Sequence, residues 1–177
     1  MQRNLIIITG SSGVGKSSLA QALQEELLPE QWLHFSVDTL FYCLPRSIVL
    51  QVDQHNDRSL VDAKSIVRSA HACVRTLLDQ EHKVIFDTVI MSETGAKGLL
   101  AAFAESDPLL VALTCSWDEI KRRTLARGDR TLAEAEHGYK NAGGHLGVHH
   151  TFESTSTSAR QIAEQLAAHV RGGASAA

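Results

Sequence analysis

The stretch Gly10-Ser11-Ser12-Gly13-Val14-Gly15-Lys16-Ser17 limits what this chain can fold into more than any other. It has the spacing glycine, four residues, Gly-Lys-Ser, and it separates two segments of different periodicity. Before it, Asn4-Leu5-Ile6-Ile7-Ile8-Thr9 is a short apolar, β-branched run that predicts a buried strand. After it, Ser18-Leu19-Ala20-Gln21-Ala22-Leu23 has helical spacing. Strand, glycine-rich turn and helix in that order form a phosphate cradle. Glycines let the backbone turn its N–H groups onto successive phosphate oxygens, and the helix adds its own unsatisfied N–H groups and dipole. Gly10, Ser11, Ser12, Gly13, Val14, Gly15, Lys16, Ser17 and Ser18 are therefore candidate nucleotide-binding residues. The Lys16 ammonium is placed to reach the outer phosphates, and the Ser17 hydroxyl to ligate magnesium. A ligand-free Gly/Ser-rich turn is the alternative, but it accounts for neither the Lys-Ser pair nor the flanking strand and helix. The expectation is a protein that binds a nucleoside triphosphate.

Further strand-like runs lie at 32–37, 83–87, 109–114 and 148–154, and helical spacing at 61–79, 93–104, 117–127 and 159–170. A short helix is expected from Thr39, stopped by Pro45, with residues 46–60 polar and irregular. Residues 128–147 are Gly-rich and charged, a candidate mobile lid, and residues 171–177 read as a disordered tail. Strands alternating with helices predict one α/β domain over residues 1–170. Its mostly parallel, five-stranded sheet would be covered by helices on both faces.

The 177 residues are enough for one full core, and a net charge of −3 provides no electrostatic footprint for nucleic acid or an anionic membrane. No apolar run approaches the roughly 20 residues of a membrane span, and none near the start reads as a secretory leader. Cys43, Cys73 and Cys115 are an odd number without paired spacing, as expected of reduced thiols in the cytoplasm.

In parallel α/β sheets, ligands bind at the carboxyl ends of the strands, and those ends here carry the glycine-rich loop, Asp38 and Asp87. Asp38 is either a carboxylate that orients and deprotonates an acceptor hydroxyl or a cap for the short helix behind it. Asp87 closes the run Val84-Ile85-Phe86, as a carboxylate that holds magnesium does, or as a turn residue would. Arg123, Arg127 and Arg130, spaced by four and three, fall on one helical face or just past its end. There they could clamp transferring phosphates and stack on a base, the alternative being a solvated basic face. His145, His149 and His150 sit in Gly-rich sequence with no rigid helix to fix a metal's geometry.

Read together, these stretches resemble the chloramphenicol phosphotransferase family of small P-loop kinases. The resemblance rests on residues 10–17, on Leu-Pro-Glu-Gln-Trp-Leu at 28–33 and on Val-Asp-Thr-Leu at 37–40 followed by Leu44-Pro45. It extends through Val-Ile-Phe-Asp at 84–87 and Arg-Thr-Leu-Ala-Arg-Gly-Asp-Arg at 123–130. It implies a P-loop kinase fold, ATP and magnesium as cofactors, and a small-molecule hydroxyl, such as an antibiotic's, as acceptor. It further implies Asp38 as the acceptor's base, and Arg127 and Arg130 on a lid near the phosphates. Where the family often has a second acid after the one matched by Asp87, this chain has Thr88. A metabolite or nucleoside monophosphate kinase, and a nucleotide-binding regulator that transfers nothing, are the other readings.

Overall fold

In the computed structural model, the described residues are 3–55, 57–128 and 131–172. Five strands form one sheet: β1 (Leu5–Thr9), β2 (Trp32–Ser36), β3 (Lys83–Thr88), β4 (Leu109–Thr114) and β5 (His150–Glu153). Their spatial order is β2-β3-β1-β4-β5, and every neighbouring pair is parallel. Between and after them run α1 (Lys16–Glu26), α2 (Val37–Phe41), α3 (Arg46–His55), α4 (Ala63–Asp79), α5 (Glu93–Ala102), α6 (Trp117–Arg127), α7 (Leu132–Asn141) and α8 (Ala159–Gly172).

A parallel sheet needs a crossover between its strands, and the crossover helices cover both faces. That is why β1 reads as an unbroken apolar run rather than an alternating one. Its Ile6 and Ile8 pack with Leu19 and Leu23 of α1, Ile120 of α6, and Ile162 and Leu166 of α8. Leu5 and Ile7 point the other way, to Ala70 and Val74 of α4 and Leu99 of α5. Each such side chain removed from water contributes about 1.5–3 kcal/mol. The strand feeding the glycine-rich loop is thus among the most firmly anchored parts of the fold.

The structure departs from the sequence-based expectation at residues 46–55, which are helical rather than irregular. Pro45 both ends one helix and starts the next: its carbonyl accepts from Ile48 and Val49 N–H in the first turn of α3. The expected strand at 32–37 also ends one residue early, because Ser36 caps α2 and Val37 opens it. Within 128–147, residues Leu132–Asn141 form α7, which starts at a reciprocal cap between Thr131 and Glu134. Arg171 and Gly172 continue α8, while the rest of the expected tail, 173–177, lies outside the described residues. No helix among the described residues is long and apolar enough to cross a membrane.

Candidate active site

The site begins where β1 ends. Gly10 passes so close to β4 that a Cβ there would sit 2.3 Å from the Leu113 carbonyl oxygen, so glycine alone fits. Gly15, at φ 98° in the left-handed region, turns the chain into α1 and is its N-cap residue. Among the described residues no side chain caps α1, so its positive end and first-turn N–H groups are suited to an anion. Lys16 is largely buried, and its Nζ donates to the Ser11 carbonyl at 3.2 Å, which holds the ammonium along the loop.

Asp87 stands beside this loop because β3 pairs with β1 in the register Ile8↔Asp87. Only 4% exposed, it accepts from Ser17 Oγ at 3.0 Å on Oδ2, and the same oxygen lies 2.6 Å from His34 Nε2 on β2. A hydroxyl and a carboxylate beside a phosphate cradle are the hard oxygen donors that suit magnesium. Among the described residues no group of three or more His, Cys, Asp or Glu side chains could hold a metal. A magnesium ion here would accordingly take its other ligands from phosphate and water, as this cation commonly does.

Arg123 reaches back to the loop itself. Its Nη1 donates to the Val14 carbonyl at 3.1 Å and the Gly13 carbonyl at 3.4 Å, and its Nη2 to the Ser154 carbonyl at 2.7 Å. Ser154 Oγ also donates to the Val14 carbonyl at 2.7 Å, so the outer side of the loop is tied to the end of β5. Glu119 pairs with Arg123 Nε at 2.8 Å. Hydrogen bonds from Arg122, then Arg123, hold the Glu119 carboxyl down to about 2, so it stays charged at neutral pH. Arg127, one turn further, has its guanidinium 3.9 Å from where a Cβ on Gly13 would be. Both arginines border a cavity of about 350 Å³ with Gly13, Gly15, Ser18 and the start of α8. Arg130 lies outside the described residues.

On the other side of the loop is a larger cavity of about 620 Å³, which Lys16, Asp38 and Asp87 all line. Ser36 takes the capping role on α2: its Oγ accepts from the Thr39 N–H at 3.2 Å. Asp38 is therefore not the cap, and its side chain borders the cavity instead. Apolar groups from α2, α3 and α4, such as Phe41, Val52 and Ile66, supply the walls. Helix α7 closes one side with Glu134, His137 and Gly138, and a Cβ on Gly138 would lie 4.0 Å from Ser12 N.

The profile of the chloramphenicol phosphotransferase-like protein family matches residues 3–171. The chain belongs to this family. Two curated proteins from strains of Mycobacterium tuberculosis, provisionally named O-phosphotransferases, are each 28% identical to it over 182 residues, covering 92% of this chain and 80% of theirs. Among solved structures, an APS kinase of Mycobacterium tuberculosis superposes with a TM-score of 0.72 at 17% identity, over 97% of this chain and 99% of its own. A gluconokinase from Sinorhizobium meliloti reaches 0.66 at 16% identity, over 99% and 96% of the two chains. These likenesses show the P-loop kinase fold.

Set on that fold, the family member's nominated residues fall into two groups. Ser12, Gly13, Val14, Gly15, Lys16, Ser18, Asp38, Asp87, Arg123 and Arg127 border one or other cavity, with Arg123 also bonded to loop backbone, whereas Gly10, Ser11 and Ser17 line neither. The histidines at 145–150 do not converge. His149 Nδ1 accepts from Leu110 N–H at 3.0 Å, His145 lies against the Asn141 carbonyl, and His150 packs on His169 with ring centres 4.3 Å apart. Sequence reasoning missed His34, Asp53, Arg58, Glu134 and His137. Of these, Glu134 carried a usable signal, since Thr131-x-x-Glu134 is a capping-box spacing that announces α7.

Proposed function

We propose that this protein is an ATP-dependent O-phosphotransferase that moves the γ-phosphoryl group of ATP to a hydroxyl of a small, partly apolar molecule. The observation that carries this reading is the single cavity bordered by Lys16, Asp87 and Asp38. A phosphate clamp, a metal-holding carboxylate and an unengaged base on one space are what in-line transfer requires.

In this reading Asp38 accepts the proton of the acceptor hydroxyl as its oxygen forms a bond to the γ-phosphorus. The bond from that phosphorus to the β-bridging oxygen breaks, and ADP leaves. Lys16 and the N–H groups of the loop and α1 offset charge on the outer phosphates. Arg127, with Arg130, meets that charge when residues 128–147 close as a lid over bound ATP, and Arg123 sets the loop beneath it. Ser17 and Asp87 would hold magnesium, which when bound would supply positive charge against that of the outer phosphates. The three cysteines are unpaired, in keeping with a cytoplasmic enzyme.

The test is ADP release across amphenicols, aminoglycosides, sugars and nucleosides, with chloramphenicol first because of the family's name. Acceptor-dependent ADP release supports the reading. Asp38→Asn should then lower turnover by about 100-fold or more, the contribution of a positioned base, with ATP affinity held. Asp87→Asn should instead raise the magnesium requirement. Reversed phenotypes would exchange the two roles. Unchanged turnover in both variants would overturn both roles, and ADP release that no acceptor stimulates would overturn the kinase reading in favour of a nucleotide-binding regulator.

A further inference from the structure

We propose that His34 is the positioning residue for Asp87, holding its carboxylate in the orientation from which Ser17 and Asp87 together accept a divalent cation. This rests on the phosphotransferase reading above and adds to it a residue outside the loop and outside both acids.

His34 is the one ionisable side chain within Trp32-Leu33-His34-Phe35, and a solvent-facing histidine there would need no explanation. This one is not solvent-facing: its side chain is 19% exposed and Asp87's 6%. The strands make the contact diagonal. β2 pairs with β3 in the register His34↔Ile85 and Ser36↔Asp87, so the residue opposite Asp87 is a serine. A serine is too short to span the pair, whereas a ring two residues upstream reaches along the same face. Its Nε2 arrives 2.6 Å from Oδ2, a short contact of the kind made by a donor to a carboxylate. An ionised carboxylate only accepts, so in this pair Nε2 carries the hydrogen.

Two donors then converge on one oxygen: Ser17 Oγ at 3.0 Å and His34 Nε2 at 2.6 Å, both on Oδ2. Among the described residues the side-chain hydrogen bonds to Asp87 fall on that oxygen, which leaves Oδ1 to the water shell of a cation. The division of labour follows. Ser17 has a second task at the metal, and when its oxygen turns to a cation its hold on Asp87 changes. His34 has no such task, so the carboxylate keeps its orientation through the exchange. Side chains that fix a metal-holding group from behind are typically worth 10–100-fold in metal affinity or activity.

The experiment measures the affinity of the full-length protein for ADP, and for a non-hydrolysable ATP analogue, across magnesium, Mn²⁺ and Co²⁺ titrations and again in EDTA. It compares wild type, His34→Ala and His34→Gln, with melting temperature recorded for each. The expected result is a magnesium requirement raised about 10-fold or more in His34→Ala. Affinity in EDTA should be unchanged, and His34→Gln, whose Nε2 can still donate, should recover most of the loss. A His34→Ala protein with the wild-type magnesium requirement overturns the role of His34 alone. So does a parallel loss in magnesium and in EDTA with a lowered melting temperature, which marks a merely structural contact. A loss confined to Mn²⁺ or Co²⁺ overturns it in favour of His34 as a direct nitrogen ligand. Wild-type affinity that ignores magnesium altogether overturns the phosphotransferase reading and this role with it.

Discussion

The glycine-rich loop and the acceptor cavity share Lys16 and Asp87, yet their surroundings are built in opposite ways. The loop is clamped from every side: β1 behind it is wholly buried, Arg123 and Ser154 hold the Gly13 and Val14 carbonyls, and Ser17 is tied to Asp87. The cavity wall is looser. Helix α2 contains no buried residue and α3 only one, Val52. The chemistry of a triphosphate does not vary, so its cradle gains from rigidity. An acceptor enters, is covered and leaves, and elements that move for this purpose come from the weakly anchored part of a fold. In the proposed function, firm attachment marks the phosphate end and shallow attachment the end that would set specificity.

The largest effect expected at the rigid end is that of Lys16→Ala. Loss of a charge clamp of this kind removes about 3–4 kcal/mol of transition-state stabilisation, so phosphoryl transfer should fall by on the order of 100- to 1,000-fold. Chelating magnesium should have a similar effect on turnover. Both are read in the ADP-release assay, and near-wild-type activity in Lys16→Ala would break the comparison at its base.

This asymmetry also decided what could be read from sequence. The loop is legible because its function imposes spacing: Gly10, Gly15, Lys16 and Ser17 are set by local backbone and phosphate geometry, and the flanking apolar runs set the strand and helix. Asp87 is legible because it ends an apolar strand. His34 is not, because its meaning lies in a diagonal cross-strand contact that depends on the β2–β3 register. Helix α3 is hidden for another reason. Of its apolar residues only Val52 is buried, and it lines a cavity rather than a core, so the stripe is thin and the polar remainder dominates. Arg123 shares a helical face with Arg127, which is correct as spacing and silent about which of them touches backbone carbonyls.

Arg123→Ala sharpens that last point. It strips a donor from the Gly13, Val14 and Ser154 carbonyls, of which Val14 keeps Ser154 Oγ, and the polar groups left unpaired cost about 1–3 kcal/mol in total. Melting temperature and nucleotide affinity should fall together. Arg123→Lys should rescue little, because an ammonium cannot reach several carbonyls in a fork geometry. A drop in nucleotide affinity with no change in melting would instead assign Arg123 to the nucleotide itself.

At the loose end, Val52→Ala removes the one buried anchor of α3 at a cost of about 1 kcal/mol. Hydrogen exchange over residues 46–55 should quicken, and KM for the acceptor should rise while nucleotide affinity holds. Exchange in α1 should not change. If α1 loosened as well, the two regions would be one cooperative unit and the contrast between them would fail.

The smallest effect returns to the rigid end. Thr124 is 1% exposed on α6, and its Oγ1 is the buried side-chain oxygen that finds no hydrogen-bond partner among the described residues. It lies 3.9 Å from where a Cβ on Gly13 would be, so it packs against the loop without holding it. Valine has the same shape and removes an unpaired hydroxyl from an apolar setting. Thr124→Val should therefore change stability by no more than about 0.5 kcal/mol, or raise it slightly, with nucleotide affinity unchanged. Arg123 and Thr124 are adjacent on one helix and approach one loop, and among the described residues Arg123 bonds to its carbonyls while Thr124 Oγ1 has no partner. A large loss in Thr124→Val, measured by chemical denaturation, would mean that the hydroxyl itself is bonded at the loop and that the carbonyl contacts of Arg123 have been given too much weight.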